Sequence, residues 1–160
     1  MKWPLLVSLL ILIHWQPETG LFSSNPSQSV PSFQVSMLFT IQPSGYTLNY
    51  QVSQDSLNLH YNCAFVKCKD TLLYGIRLDP GVALKYYKYI RILNLDSLQN
   101  INETKGFEGV SILVSIHGTG IKLQSLLTVH PEQPILARLI ARTNSLIADP
   151  KYRYRPPPQQ

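Results

Sequence analysis

A chain of 160 residues with 44% hydrophobic content can bury one domain's core, which excludes disorder by composition and a large multidomain architecture. Charged residues make up only 14%, so the surface must be built largely from Ser, Thr, Asn and Gln. The net charge of +5 is concentrated at one end: residues 21–137 hold eight basic and seven acidic residues (+1), whereas residues 138–160 hold five basic and one acidic (+4).

Residues 1–20 read as a secretory signal peptide, in which Lys2 precedes the apolar run Leu5–Ile13 and a polar, Pro-containing stretch follows. The run is shorter than the roughly 20 apolar residues needed to cross a bilayer, and no second such run follows. The mature chain is therefore expected to be exported, either secreted or periplasmic, with no integral membrane span. A short N-terminal anchor is the alternative, because no good small-x-small cleavage site follows the run. Residues 21–32 form a Ser/Pro-rich, flexible leader.

Strands follow. Phe33, Val35, Met37, Phe39 and Ile41 alternate with mostly polar residues, as do Tyr46, Leu48, Tyr50 and Val52, and then Leu57, Leu59, Tyr61 and Cys63. Period-2 patterning puts each apolar set on one face of a sheet. Pro43-Ser44-Gly45 marks the first hairpin turn. Thr71–Leu78 is a fourth strand, closed by Asp79-Pro80-Gly81. Leu84–Leu95, rich in Tyr and Ile on both faces, is expected as a fifth. Val110–His117 and Ile121–Val129 pair across Gly118-Thr119-Gly120, with Val110, Ile112, Val114 and Ile116 inward on one strand and Ile121, Leu123, Leu127 and Val129 inward on the other. Seven antiparallel strands over residues 33–130 predict a mainly β domain, a β-sandwich or small barrel.

The period then changes. Ile135, Leu136, Leu139, Ile140, Thr143, Leu146 and Ile147 recur at three- and four-residue intervals, which predicts one C-terminal amphipathic helix within residues 131–149. A helix this short is marginal alone, so its apolar face must pack on its own sheet, a partner or a membrane surface. Residues 150–160 form a basic tail in which Lys151, Arg153 and Arg155 alternate with Tyr152 and Tyr154 before a polyproline run. The tail holds nothing that would build a core, and it could add as an edge strand to another protein's sheet.

Signals for chemistry are weak. Cys63 and Cys68 are expected to form a disulfide in an exporting compartment, a local staple contributing roughly 2 kcal/mol. His60, Cys63 and Cys68 resemble a metal cluster only by spacing, because His60 and Cys63 point to opposite faces of a strand. His60, His117 and His130 all fall on polar registers. No G-x-S-x-G elbow, P-loop or dinucleotide fingerprint occurs, so no catalysis, metal or cofactor is expected. The stripe of Tyr86, Tyr87 and Tyr89 with Lys85, Lys88 and Arg91 could stack bases, but export argues against nucleic acid. Asn102-Glu103-Thr104 fits the glycosylation acceptor pattern, which counts only in a eukaryotic source.

These residues point to an exported, non-catalytic protein-binding module, a component of a secretion, envelope or cell-surface assembly. It would dock an acidic protein surface through Arg138, Arg142, Lys151, Tyr152, Arg153, Tyr154 and Arg155, with membrane-surface contact also open. The alternative is a carrier of an apolar ligand such as a lipid, lined by Phe33, Phe39, Tyr50, Tyr61, Ile90 and Ile112.

Overall fold

A computed structural model describes residues 29–42, 44–63, 69–95, 109–130 and 132–156. The residues of the expected signal peptide, Cys68 of the expected disulfide and Asn102 lie outside these. Six antiparallel strands form one open sheet: β1 (Phe33–Gln42), β2 (Tyr46–Ser53), β3 (Ser56–Cys63), β4 (Thr71–Arg77), β5 (Gly109–Gly118) and β6 (Ile121–Thr128). Their spatial order is β4-β3-β2-β1-β5-β6. Helix α1 (Pro80–Arg91) links β4 to β5, and α2 (Pro134–Asn144) follows β6. The fold is mainly β, as expected, but the described residues contain neither a second sheet nor a closed barrel. Helices do the covering that a second sheet would do in a sandwich.

Alternation along the strands decides which face is covered. One row crosses the sheet as Tyr74, Leu59, Tyr50, Met37, Val114 and Leu126; the next runs Ile76, Leu57, Val52, Val35, Ile116 and Gln124. Most of these side chains are buried, and they join the helices in a single core. The opposite face carries Ser36, Asn49, Gln51, Asn58, His60 and Ser115, with Leu38, Leu113 and Leu127 aligned across β1, β5 and β6.

The expected fifth strand is instead α1. Asp79 caps it, its side chain accepting from the backbone N–H groups of Gly81 and Val82, and Pro80 stands in the first turn, where a missing N–H costs nothing. Ala83, Tyr86, Tyr87 and Ile90 are buried at spacings 3, 4 and 7, a helical period that the Tyr and Ile content disguised as strand. The helix also splits the basic-aromatic stripe: Tyr86 and Tyr87 point into the core and Lys85, Lys88 and Arg91 into solvent.

The inward face of β6 differs from expectation as well. Gln124, Leu126 and Thr128 are buried, while Leu123 and Leu127 are exposed. The register shifts between Ile116 and Gly118, and Gln124 is drawn inward by two bonds to the chain after α1. Its Nε2 donates to the Leu93 carbonyl at 3.0 Å, and its Oε1 accepts from Leu95 N–H at 2.7 Å. Gly118 permits the close approach of Ser32 and the start of β1 to this hairpin, since a Cβ there would lie 2.6 Å from the Ser32 carbonyl oxygen.

Helix α2 matches its predicted period, and Leu136, Leu139, Ile140 and Thr143 are buried. Its apolar face packs on the protein's own core, joined to α1 by a 2.8 Å bond between the Tyr86 and Thr143 hydroxyls. Burial pushes the Tyr86 phenol well above its ordinary range.

Candidate functional site

After α2 the chain turns at Asp149-Pro150 and lies back across the inner face of the sheet as a strap. Pro150–Tyr152 forms one turn of 3-10 helix, capped by the Asp149 side chain, which accepts from Lys151 N–H. That bond holds the exposed Asp149 carboxyl below its usual value. Arg153 is extended, residues 154–156 have no regular secondary structure, and side chains, not strand pairing, hold this segment. Asn144 grips both polar groups of Tyr154: its Nδ2 donates to the Tyr154 carbonyl and its Oδ1 accepts from Tyr154 N–H, each at 2.9 Å. The Tyr50 hydroxyl donates to the Tyr152 carbonyl at 2.9 Å, and Arg153 Nε donates to the Ile147 carbonyl at 2.9 Å.

Contrary to expectation, the tail does contribute to a core. The Tyr154 ring stacks on Phe39, with centroids 3.9 Å apart, and Tyr152 leans on Tyr74 at 4.9 Å. Both tyrosines are half-buried. Burial pushes the Tyr50 phenol up to about 12, and the neighbouring Tyr154 adds to the shift. Tyr154 is itself raised by burial.

Beside the strap lies a cleft of about 790 Å³. Phe39, Leu48, Tyr50 and Leu59 form its floor, Ile41, Leu73 and Val110 its margins, and residues 151–155 one wall. Ile41 is 44% exposed and Leu73 38%, so two large apolar side chains meet solvent here. Among the described residues no carboxylate lines the cleft, whereas Lys151, Arg153 and Arg155 do. Lys151 pairs with Asp149 at 3.3 Å and sits over the Tyr152 ring at 4.6 Å. Arg155 is exposed and makes no hydrogen bond or ion pair among the described residues.

The seven residues expected to bind a partner thus fall into two groups. Lys151, Tyr152, Arg153, Tyr154 and Arg155 gather at the cleft. Arg138 and Arg142 do not line it; they lie on α2, where their charges act on Tyr89 of α1. Of the six expected ligand liners, only Phe39 and Tyr50 reach the cleft. Phe33, Ile90 and Ile112 are core, and Tyr61 stacks on Tyr46 at 5.8 Å. Sequence reasoning missed Asn144, Ile41, Leu48, Leu59, Leu73 and Val110. Alternation did put Ile41, Leu48, Leu59 and Val110 on the apolar face of the sheet without gathering them at one cleft, and Asn144 left a signal as an amide at the end of an apolar helix, ten residues before the tyrosine it grips.

The histidines stand apart from this site. His60 lies on the open face and His117 is exposed, while His130 Nδ1 is 2.8 Å from Glu132 Oε1. Among the described residues no three His, Cys, Asp or Glu side chains cluster as metal ligands would, and no helix is long and apolar enough to cross a membrane. No protein-family model matches the chain, and no curated protein or solved structure matches it.

Proposed function

We propose that this protein is an exported, non-catalytic binding module whose contact surface is the strap and the cleft beside it. The partner is a protein with an acidic surface that also offers an apolar side chain. One observation carries the reading: Lys151, Arg153 and Arg155 are held at the rim of an apolar cleft that, among the described residues, no acid lines. A strap fixed by Asn144, Tyr50 and Arg153 loses little conformational freedom on binding, which favours affinity. Helix α2 supports this surface from within and does not itself dock, because its apolar face is already used.

The test is capture of partners from the native source by the mature chain and by its Lys151→Glu/Arg155→Glu variant. Charge reversal suits the question better than truncation, which would also strip Tyr152 and Tyr154 from the core. A partner held by the parent and lost from the variant supports the reading, and equal capture by both rules it out.

A second reading has its own support. A cleft of 790 Å³ falls within the roughly 300–1,000 Å³ typical of small-molecule sites, and its floor is aliphatic and aromatic. On this reading the protein carries an apolar ligand.

A further inference from the structure

We propose that the outward side of the helix layer, which carries Lys85, Lys88 and Ile92 of α1 beside Arg138 and Arg142 of α2, docks on an anionic lipid bilayer. This surface is separate from the strap and cleft, and it uses the solvent side of α2 while the apolar side stays in the core. Helical spacing builds it. Lys85, Lys88 and Ile92 follow at intervals of three and four, so they share one side of α1, opposite the buried Ala83, Tyr86, Tyr87 and Ile90. Arg138 and Arg142 are four apart on α2. The Tyr86 and Thr143 hydroxyls join the two helices, and both arginines act on the Tyr89 phenol, so the basic stripes adjoin across that contact. Residues 80–92 and 134–145 contain no Asp or Glu. Lys85, Lys88 and Arg138 are exposed, and among the described residues none of the four cations forms an ion pair. Arg138 commits only its Nε, to the Pro134 carbonyl at 3.1 Å.

Two observations favour a bilayer over a soluble polyanion or an acidic protein. Ile92 is 80% exposed on the same side of α1 as the two lysines. An apolar side chain among cations suits the membrane interface, where it enters the acyl boundary while the charged ends of Lys and Arg meet phosphates. The second observation is the polarity of the whole molecule. The four central strands, β3, β2, β1 and β5, contain no Lys, Arg, Asp or Glu. Positive charge therefore collects on the helix side of the sheet, a distribution that turns that side toward an extended anionic plane.

The experiment is sedimentation of the full chain with vesicles of phosphatidylcholine containing phosphatidylglycerol, and with vesicles of phosphatidylcholine alone. The apolar run at residues 5–13 would act on both vesicles alike, so the ratio between them isolates the charge. Binding should favour the phosphatidylglycerol vesicles and weaken as salt is raised. Lys85→Gln/Lys88→Gln should weaken it about 25-fold, about fivefold for each cation. Ile92→Gln, at a position too exposed to matter for folding, should weaken it about tenfold. Lys151→Gln/Arg155→Gln should leave it close to the parent. Equal binding to both vesicles would overturn the proposal. So would a loss confined to the Lys151/Arg155 variant, which would put the contact on the strap. Capture of the chain by heparin, indifferent to Ile92→Gln and without preference for phosphatidylglycerol, would replace the bilayer with a soluble polyanion.

Discussion

Asn144 is the residue on which the strap depends most, and replacing it should release the strap without unfolding the sheet. Asn144→Ala removes two hydrogen bonds to Tyr154, each 2.9 Å long and partly buried. At about 1 kcal/mol net per bond, docking weakens by about 2 kcal/mol. The stack of Tyr154 on Phe39, worth about 0.5–1.5 kcal/mol beyond its area, loosens with it. Once the strap lifts, water satisfies the freed Tyr154 groups, so the global loss is capped by the strap's own docking energy. Tryptic cleavage after Lys151 and Arg153 reads the open population directly. A 2 kcal/mol shift should speed it by about 30-fold while the urea midpoint of the sheet falls only modestly. Asn144→Asp keeps the acceptor for Tyr154 N–H and loses the donor, so it should fall between Ala and the parent. Parent-like cleavage in Asn144→Ala would refute the clamp.

Three further outcomes follow from the core and its tyrosines. Tyr86→Phe should cost about 1–3 kcal/mol by urea unfolding because it strands the buried Thr143 hydroxyl, whereas Tyr86→Phe/Thr143→Val should recover much of the loss, the signature of a coupled pair. Gln124→Leu should cost about 2 kcal/mol and raise amide exchange at Leu95, whose N–H it leaves without its acceptor. The Tyr50 phenol, raised from 10.0 to about 12, stabilises the fold fully below pH 10; that contribution is lost as the pH climbs through about 12. Alkaline unfolding followed by tyrosinate absorbance should therefore begin later for Tyr50→Phe than for the parent.

What was legible in the sequence depended on how regular each element is. β1, β2 and β3 alternate cleanly, since Phe33, Val35, Met37 and Phe39 are buried on the covered face of the sheet and their neighbours face outward. Helix α2 was visible because its stripe keeps a single period. Helix α1 was not, because tyrosines on its buried face and cations on its exposed face are as common in strands; its cap at Asp79 was read as a turn alone. β6 misled because a buried glutamine reverses the usual assignment of faces. The cleft was illegible for a different reason. Its lining comes from five strands and the tail, separated by up to 116 positions between Phe39 and Arg155, and no local pattern encodes such a meeting. The basic, tyrosine-rich composition of the tail did mark one wall, though its tyrosines turned out to serve the core as well as the surface.

The most direct test of the strap and cleft as the contact surface is site-specific photo-crosslinking of the full chain in its native source. A crosslinker replaces Ile41 or Arg155 at the cleft in one pair of variants, and His60 or Ser115 on the open sheet face in another. Adducts to a partner are expected from positions 41 and 155 and none from positions 60 and 115. Adducts confined to positions 60 and 115 would place binding on the open face and contradict that expectation.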